Sequence, residues 1–106
     1  MLELAAVLEA PKPPIKQLGL SRVRGVTVST IEASRVDKGG RLEWETAVVD
    51  GRGCYPVERY PSRELALVGH LVWSGRAGSL VEVESLGYPE FGEPSGKRYL
   101  VRWLDN

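Results

Sequence analysis

The stretch Leu42–Val49 constrains the fold more than any other part of the sequence. Its apolar and polar residues alternate from Leu42 onwards, which is the period expected of a half-buried β-strand. Glycine-containing turn signals flank it, Asp37–Gly40 before and Asp50–Gly53 after. The stretch is therefore the strongest strand prediction in the chain.

Further strands are predicted on both sides of this one. Val26–Ser29 alternates and is rich in β-branched residues. Val81–Glu84 and Tyr99–Trp103 alternate as well and predict a C-terminal hairpin with a long connecting loop. The charged residues expected to face each other in it are Glu82 and Glu84 on one strand and Lys97, Arg98 and Arg102 on the other. The hairpin is similar to one found in small SH3-like barrels.

One main helix is predicted between these regions. Ser62 is a good N-cap, Glu64 suits the first turn, and the helix is expected to end near Trp73, before Gly75. On a helical wheel the large apolar residues share one broad side: Leu65, Leu67, Val68, Leu71 and Val72. The other side carries Ala66, Gly69, His70 and Trp73. We expect the large apolar side to pack across the sheet.

The first 21 residues predict a proline-containing arm ahead of the folded body. Residues 1–10 fit either a short helix or a strand, and Pro11, Pro13 and Pro14 favour extended geometry after them. A chain of 106 residues buries enough surface for one domain and not for two. The sequence therefore predicts a single α+β domain: an arm over 1–21 and a body over 22–106, with a sheet of four to five strands and one helix packed on it.

Composition excludes several classes of protein. Lys and Arg number 14 and Asp and Glu also 14, so a strong general attraction to nucleic acid or anionic lipid is not expected. No apolar stretch approaches the ~18 residues of a membrane helix. The start of the chain is a poor signal peptide, and its one cysteine needs no oxidising compartment. We expect a cytoplasmic protein that does not bind membranes.

The residues suited to catalysis are few. Cys54 and His70 are the only cysteine and histidine, and a thiol nucleophile needs an adjacent base and a group to orient it. Cys54 is more simply a small buried residue, and His70 a helix residue bonding a carbonyl or water. The pairs Glu43/Glu45 and Glu82/Glu84 are typical of a solvated strand face. No catalytic set, metal site or cofactor site is predicted, so we expect a protein that is not an enzyme.

Candidates for a binding surface are easier to find. Trp, Tyr and Arg dominate binding hot spots, and Trp73 lies on the less apolar side of the predicted helix. Trp44 and Trp103 are expected in the core. The predicted interface residues are Trp73, Arg76, Arg59, Tyr55 and Arg52. They indicate a protein partner or self-association.

The distribution of charge leaves a second possibility open. The segment from Ala10 to Ile31 holds four basic residues and no acidic one. The alternative function is therefore a nucleic-acid-binding module whose phosphate contacts would be Lys12, Lys16, Arg22 and Arg24. A further alternative is a small enzyme, or a protein that sequesters a small ligand, using Cys54 or His70.

Glu45–Val49 with Gly51 is followed by Glu58–Tyr60, then by Ser62 and the Gly69–His70 pair. In this pattern, residues 28–73 resemble short phage and prophage proteins of high-GC bacteria that have no assigned activity. The resemblance implies a phage-type origin and carries over no site residue. The expected function is a non-catalytic accessory protein that acts by protein–protein binding, as a host-directed inhibitor, an anti-defence protein or a small virion component. Its location would then be the host cytoplasm.

Overall fold

The computed structural model describes residues 17–36 and 42–101. They begin with four consecutive strands, β1 (Gln17–Val23), β2 (Val26–Val36), β3 (Leu42–Val49) and β4 (Cys54–Tyr60), which form an antiparallel sheet in the order β1-β2-β3-β4. The helix α1 (Arg63–Arg76) follows, and β5 (Glu82–Ser85) and β6 (Gly96–Tyr99) form a separate two-stranded sheet. The predicted α+β class, with a small antiparallel sheet and one main helix, is confirmed.

Two tight turns set the register of the main sheet. Arg24 and Gly25 have φ values of 51° and 80°, as in the two-residue turns that match strand twist, and Val23 pairs with Val26 across them. At the other end, the Asp50 N–H donates to the Gly53 carbonyl at 3.0 Å. This confirms the turn predicted at Asp50–Gly53, whereas the one predicted at Asp37–Gly40 lies outside the described residues.

Asp50 also forms a hydrogen bond with the backbone of Val101. Its Oδ1 accepts from the N–H groups of Arg52 (2.8 Å) and Gly53 (3.1 Å), and its Oδ2 accepts from the Val101 N–H at 2.6 Å. Burial alone would raise the pKa of Asp50, but the three backbone donors outweigh it and lower that pKa below 3.8. One carboxylate therefore connects the β3–β4 turn to Val101, two residues after β6.

Strand β1 begins at Gln17, inside the segment 1–21 that the sequence assigns to an arm. The last proline of that segment is Pro14, so nothing in Gln17–Val23 prevents strand pairing with β2. Gln17 pairs with Ile31 and Leu20 with Ser29. Residues 17–21, which the sequence assigns to the arm, therefore belong to the main sheet.

The apolar core lies where one face of the main sheet meets the C-terminal hairpin and the turn after α1. Its members are Val26, Val28, Val48, Val57, Ala77, Leu80, Val83 and Leu100. Partly buried side chains at its edge are Val23, Tyr55 and Trp73. The remaining length of α1 lies beyond this cluster, and different contacts fix it to the sheet.

The C-terminal hairpin is shorter than the sequence suggests. Glu82 pairs with Tyr99 and Glu84 with Lys97, and Lys97 Nζ lies 3.7 Å from Glu82 Oε1, which confirms one predicted charge pair. β6 ends at Tyr99, while Arg102 and Trp103 lie outside the described residues. A hydrogen bond from the Leu86 N–H to the Pro56 carbonyl, at 2.7 Å, ties the hairpin to β4.

The helix α1 is capped as predicted. The Ser62 hydroxyl accepts from the Leu65 N–H at 3.2 Å, with Glu64 in the first turn. The helix continues through Gly75 to Arg76, three residues further than predicted, and leads directly into a single 3₁₀ turn at Ala77–Ser79.

In the described part of the chain no helix is long and apolar enough to cross a membrane.

Candidate functional site

The helix α1 lies on the sheet with the opposite side from the one predicted. Its buried residues are Ala66, Gly69 and His70. The large apolar residues point away from the sheet, with exposed fractions from 37% at Leu67 to 71% at Leu71. We call these five residues the outer face of α1: Leu65, Leu67, Val68, Leu71 and Val72. The prediction that this side packs across the sheet is wrong.

Close approach of the helix to the sheet explains part of this orientation. A Cβ atom on Gly69 would collide with the hydroxyl and ring of Tyr60. A Cβ atom on Gly19, in β1, would lie 2.6 Å from His70 Nε2. Only residues without a side chain fit at these two contacts, so the helix presents small residues to the sheet and keeps its large ones outside.

The polar residues of the sheet beneath the helix also favour this orientation of α1. Thr30 and Thr46 are buried on the face that α1 covers, and their hydroxyls lie 2.6 Å apart. His70 supplies the polar partner that these buried groups need. Its Nδ1 lies 2.8 Å from Thr30 Oγ1, and its Nε2 lies 3.1 Å from Ser21 Oγ. A leucine in place of His70 would leave buried hydroxyls without this partner.

The network continues to the surface through Tyr60. Its hydroxyl is a donor to Glu58 Oε1 at 3.1 Å and to Thr46 Oγ1 at 3.0 Å. Burial of the phenol, together with its contact to Glu58, raises the pKa of Tyr60 to about 12.

His70 is bonded at both ring nitrogens, Nδ1 to Thr30 Oγ1 and Nε2 to Ser21 Oγ. In a neutral ring one of these nitrogens donates and the other accepts. Burial lowers the pKa of His70 below 6.5, which is consistent with a neutral ring bonded at both nitrogens. Sequence reasoning missed the contact of Ser21 with His70, because 49 residues separate the two and no motif connects them.

Cys54 and His70 do not come together. Cys54 is exposed, and its Sγ lies 3.5 Å from Tyr88 Oη, whereas His70 contacts Ser21 and Thr30. The prediction that Cys54 is buried is wrong, because it opens β4 at the edge of the turn, where solvent reaches its side chain. Burial, and contact with Cys54 and Glu45, raise the pKa of Tyr88.

Arg59 and the buried Glu45 form a partly buried ion pair. Arg59 Nε donates to Glu45 Oε2 at 2.9 Å, and its Nη2 donates to the Gly87 carbonyl at 2.8 Å. Glu45 is 4% exposed, so the prediction of a solvated carboxylate on this face of β3 is wrong. The loop after β5 covers it, and Tyr88 Oη lies 3.4 Å from its second oxygen. Arg59 thus serves the interior of the fold.

The other predicted interface residues lie in two separate places. Trp73 packs at the edge of the core and donates from Nε1 to Glu58 Oε1 at 2.8 Å, and the Arg76 guanidinium lies 4.8 Å from its ring centre. Tyr55 packs against the core from β4, and burial and the nearby Asp50 raise its pKa. Arg52 is exposed in the β3–β4 turn. The structure therefore does not gather the five predicted residues into one surface.

The basic residues of the nucleic-acid alternative are described only in part. Arg22 is exposed on β1, and Arg24 is exposed in the β1–β2 turn. Lys12 and Lys16 lie outside the described residues.

A groove runs beside the outer face of α1. It encloses about 420 Å³ between the helix and the end of β4. Apolar side chains and two charged ones line it, and the predicted interface residue Arg59 is among them: Glu58, Arg59, Tyr60, Pro61, Leu65, Val68, Gly69 and Val72. The outer face and this groove form one continuous apolar surface, which is the candidate functional site.

Comparisons of the chain with protein-family models, with curated proteins and with solved structures found no match. Within residues 17–36 and 42–101, no group of three or more His, Cys, Asp or Glu side chains is placed to hold a metal ion.

Proposed function

We propose that the protein is a non-catalytic binding protein and that it holds a protein partner on the outer face of α1. The observation that carries the proposal is the exposure of five large apolar side chains on one helix, with Leu71 at 71% and Val68 at 58%. Together they present roughly 400–500 Å² of apolar surface, which is the size of the largest patch on a typical monomer, and such a patch is often functional.

The fold does not need these side chains. The inner side of α1 is already fixed by the close contact at Gly69 and by the hydrogen bonds of His70. A single large apolar residue on a surface is ordinary, but five on consecutive turns of one helix are not. Their burial by a partner would contribute binding energy that folding leaves unused.

The chemistry of this surface favours a protein over a nucleic acid. Nucleic-acid contacts need basic groups along the phosphates, whereas the outer face contains only leucine and valine. The charged residues at its ends are of both signs, Glu64 in the first turn and Arg76 in the last. An amphipathic helix or an apolar segment of another protein is the partner that fits such a face.

The wider role follows from the resemblance in residues 28–73. We infer a phage- or prophage-type accessory protein of the host cytoplasm, in one of three roles: host-directed inhibitor, anti-defence protein or small virion component. The apolar site is compatible with each of these roles, since each requires capture of a protein.

Site-specific photocrosslinking in cells tests the proposal. A photoreactive amino acid replaces Leu71, and in a second variant it replaces Leu20, which is 63% exposed. Leu20 lies on the opposite face of β1 from Gly19 and Ser21, the two residues that contact His70. We expect one defined crosslinked product from position 71, lost when Val68→Lys is added, and none from position 20.

Mass spectrometry of the product identifies the partner, including a second copy of the chain. Failure to crosslink at position 71, or the same products from positions 71 and 20, would overturn the proposed site. Turnover of a substrate by the purified protein, abolished by one side-chain replacement, would overturn the non-catalytic assignment.

A further inference from the structure

We propose that the partner of the outer face is a second copy of this chain, with the two α1 helices packed antiparallel about a two-fold axis. The inference rests on the proposed function, because it names the occupant of the same surface. In a two-fold pair a surface must complement itself. The outer face of α1 does so in charge and in size when the axis passes at the level of His70.

Glu64 and Arg76, near the two ends of the helix, complement each other in charge, and Arg63 begins the helix beside Glu64. Glu64 and Arg76 lie twelve positions apart, which corresponds to about 18 Å along the axis. In the antiparallel pair, Glu64 comes to the level of Arg76 of the second copy, and the same pairing recurs at the other end by symmetry. A parallel pair would instead place like charges at the same level.

The row between the charged ends complements itself in size. Leu65 comes to the level of Gly75 of the second copy, and Val68 to the level of Val72. A Cβ atom on Gly75 meets nothing within 4 Å in the protein itself, so this glycine leaves open space on the outer side of the helix. Close packing is possible because the large Leu65 lies opposite the small Gly75, and Val68 lies opposite Val72, a residue of the same size.

The available area sets the expected strength. The outer face offers roughly 400–500 Å² on each copy, whereas a standard stable interface buries about 800 Å² on each partner. Even if part of the groove beside β4 is included, the buried area is at the small end of the range for stable interfaces. We therefore expect a reversible dimer with a dissociation constant of about 10–100 µM.

Sedimentation velocity of the full chain across a concentration series is the first test. We expect monomer at about 1 µM and predominantly dimer at about 500 µM. Leu71→Lys should remove the dimer, while Leu20→Lys, a change of the same kind on the opposite face of β1, should leave it intact. Gly75→Gln keeps the helix, since the position is open in the monomer, and should weaken the dimer about tenfold or more.

Charge reversal is the second and sharper test. Glu64→Arg places basic residues at both ends of the helix, and Arg76→Glu places acidic residues at both ends. Each variant alone should dimerise about tenfold more weakly than the natural chain, because both end pairs become repulsive. An equimolar mixture should recover the natural affinity, since every end pair is then opposite in charge. Circular dichroism checks that both variants fold.

The outcomes separate this inference from the proposed function. A natural chain that stays monomeric up to about 500 µM overturns the dimer, as does a dimer that Leu71→Lys and Gly75→Gln leave unchanged. A foreign protein crosslinked at position 71 by a monomeric chain overturns the dimer and retains the proposed function. Absence of both self-association and crosslinking overturns both. A mixture that dimerises no better than its components overturns the antiparallel arrangement.

Discussion

Two glycines and one histidine decide how the helix sits on the sheet. Gly69 admits the Tyr60 ring and Gly19 admits the His70 ring, at positions where any side chain would collide. His70 then satisfies the buried Thr30 hydroxyl. These contacts depend on atomic shape at single positions, which a hydrophobicity pattern does not describe. The sequence shows that the residues are small or polar, but not that they meet.

At the residue scale, Gly69→Ala should destabilise the protein by about 1–3 kcal/mol, because the new methyl group overlaps the Tyr60 hydroxyl and ring. Gly75→Ala is the matched control on the same helix. It adds a methyl group to open space and should stabilise the fold by about 0.5–1 kcal/mol through helix propensity. Urea unfolding measures both changes. Equal effects of the two substitutions would contradict the close contact at Gly69.

The single histidine gives the protein a defined pH dependence. Burial holds the folded-state pKa of His70 below 6.5, so the unfolded chain binds the proton more readily. The stability associated with the neutral ring is complete above pH 6.5 and is lost as pH falls toward the folded pKa, with a slope of at most about 1.4 kcal/mol per pH unit. Unfolding measured between pH 7 and 5 tests this. In His70→Gln the slope in that window should vanish.

Among the elements, the helix shows what sequence reasoning can and cannot supply. Its start was predictable because Ser62 and Glu64 act on neighbouring backbone groups. Its orientation was not, since that depends on the polar side chains Thr30 and Thr46, which the sheet brings under it. A helix that is apolar over most of its circumference can pack with either side against a sheet. Which side packs depends on strand residues that are distant in the sequence.

The hydrogen bond that links the β3–β4 turn to Val101 can be tested by Asp50→Asn. One amide oxygen can keep the bonds from Arg52 and Gly53, but the NH₂ group cannot accept from the Val101 N–H. We expect a stability loss of about 1 kcal/mol and faster hydrogen exchange at Val101. Unchanged exchange at Val101, measured by NMR, would show that the 2.6 Å contact contributes nothing.

For the molecule as a whole, the fold class was predictable and the candidate site was not. Alternation in Leu42–Val49 and the turn signal after it are local, and they predicted the antiparallel sheet that the structure contains. The interface prediction rests on residue type and on the position of Trp73 on the less apolar side of the helix. Arg59 belongs to a partly buried ion pair, and the large apolar residues that α1 exposes are the leucines and valines expected to pack on the sheet.

The two sheets should differ in how readily they open. β2 and β3 pair with a strand on each side, whereas β5 and β6 have four residues each and pair only with each other. Amide hydrogen exchange should therefore be slowest in β2 and β3 and faster in the hairpin. Exchange at one common rate in both sheets would indicate that they open only together.

The separation of α1 into an inner side that holds the fold and an outer side that does not has an evolutionary consequence. Substitutions on the inner side are filtered by stability, because Gly69 and His70 leave almost no tolerated alternatives. On the outer side, selection acts through whatever the helix binds. Outer-face residues can therefore diverge rapidly between lineages in step with a partner, while the scaffold beneath them stays the same.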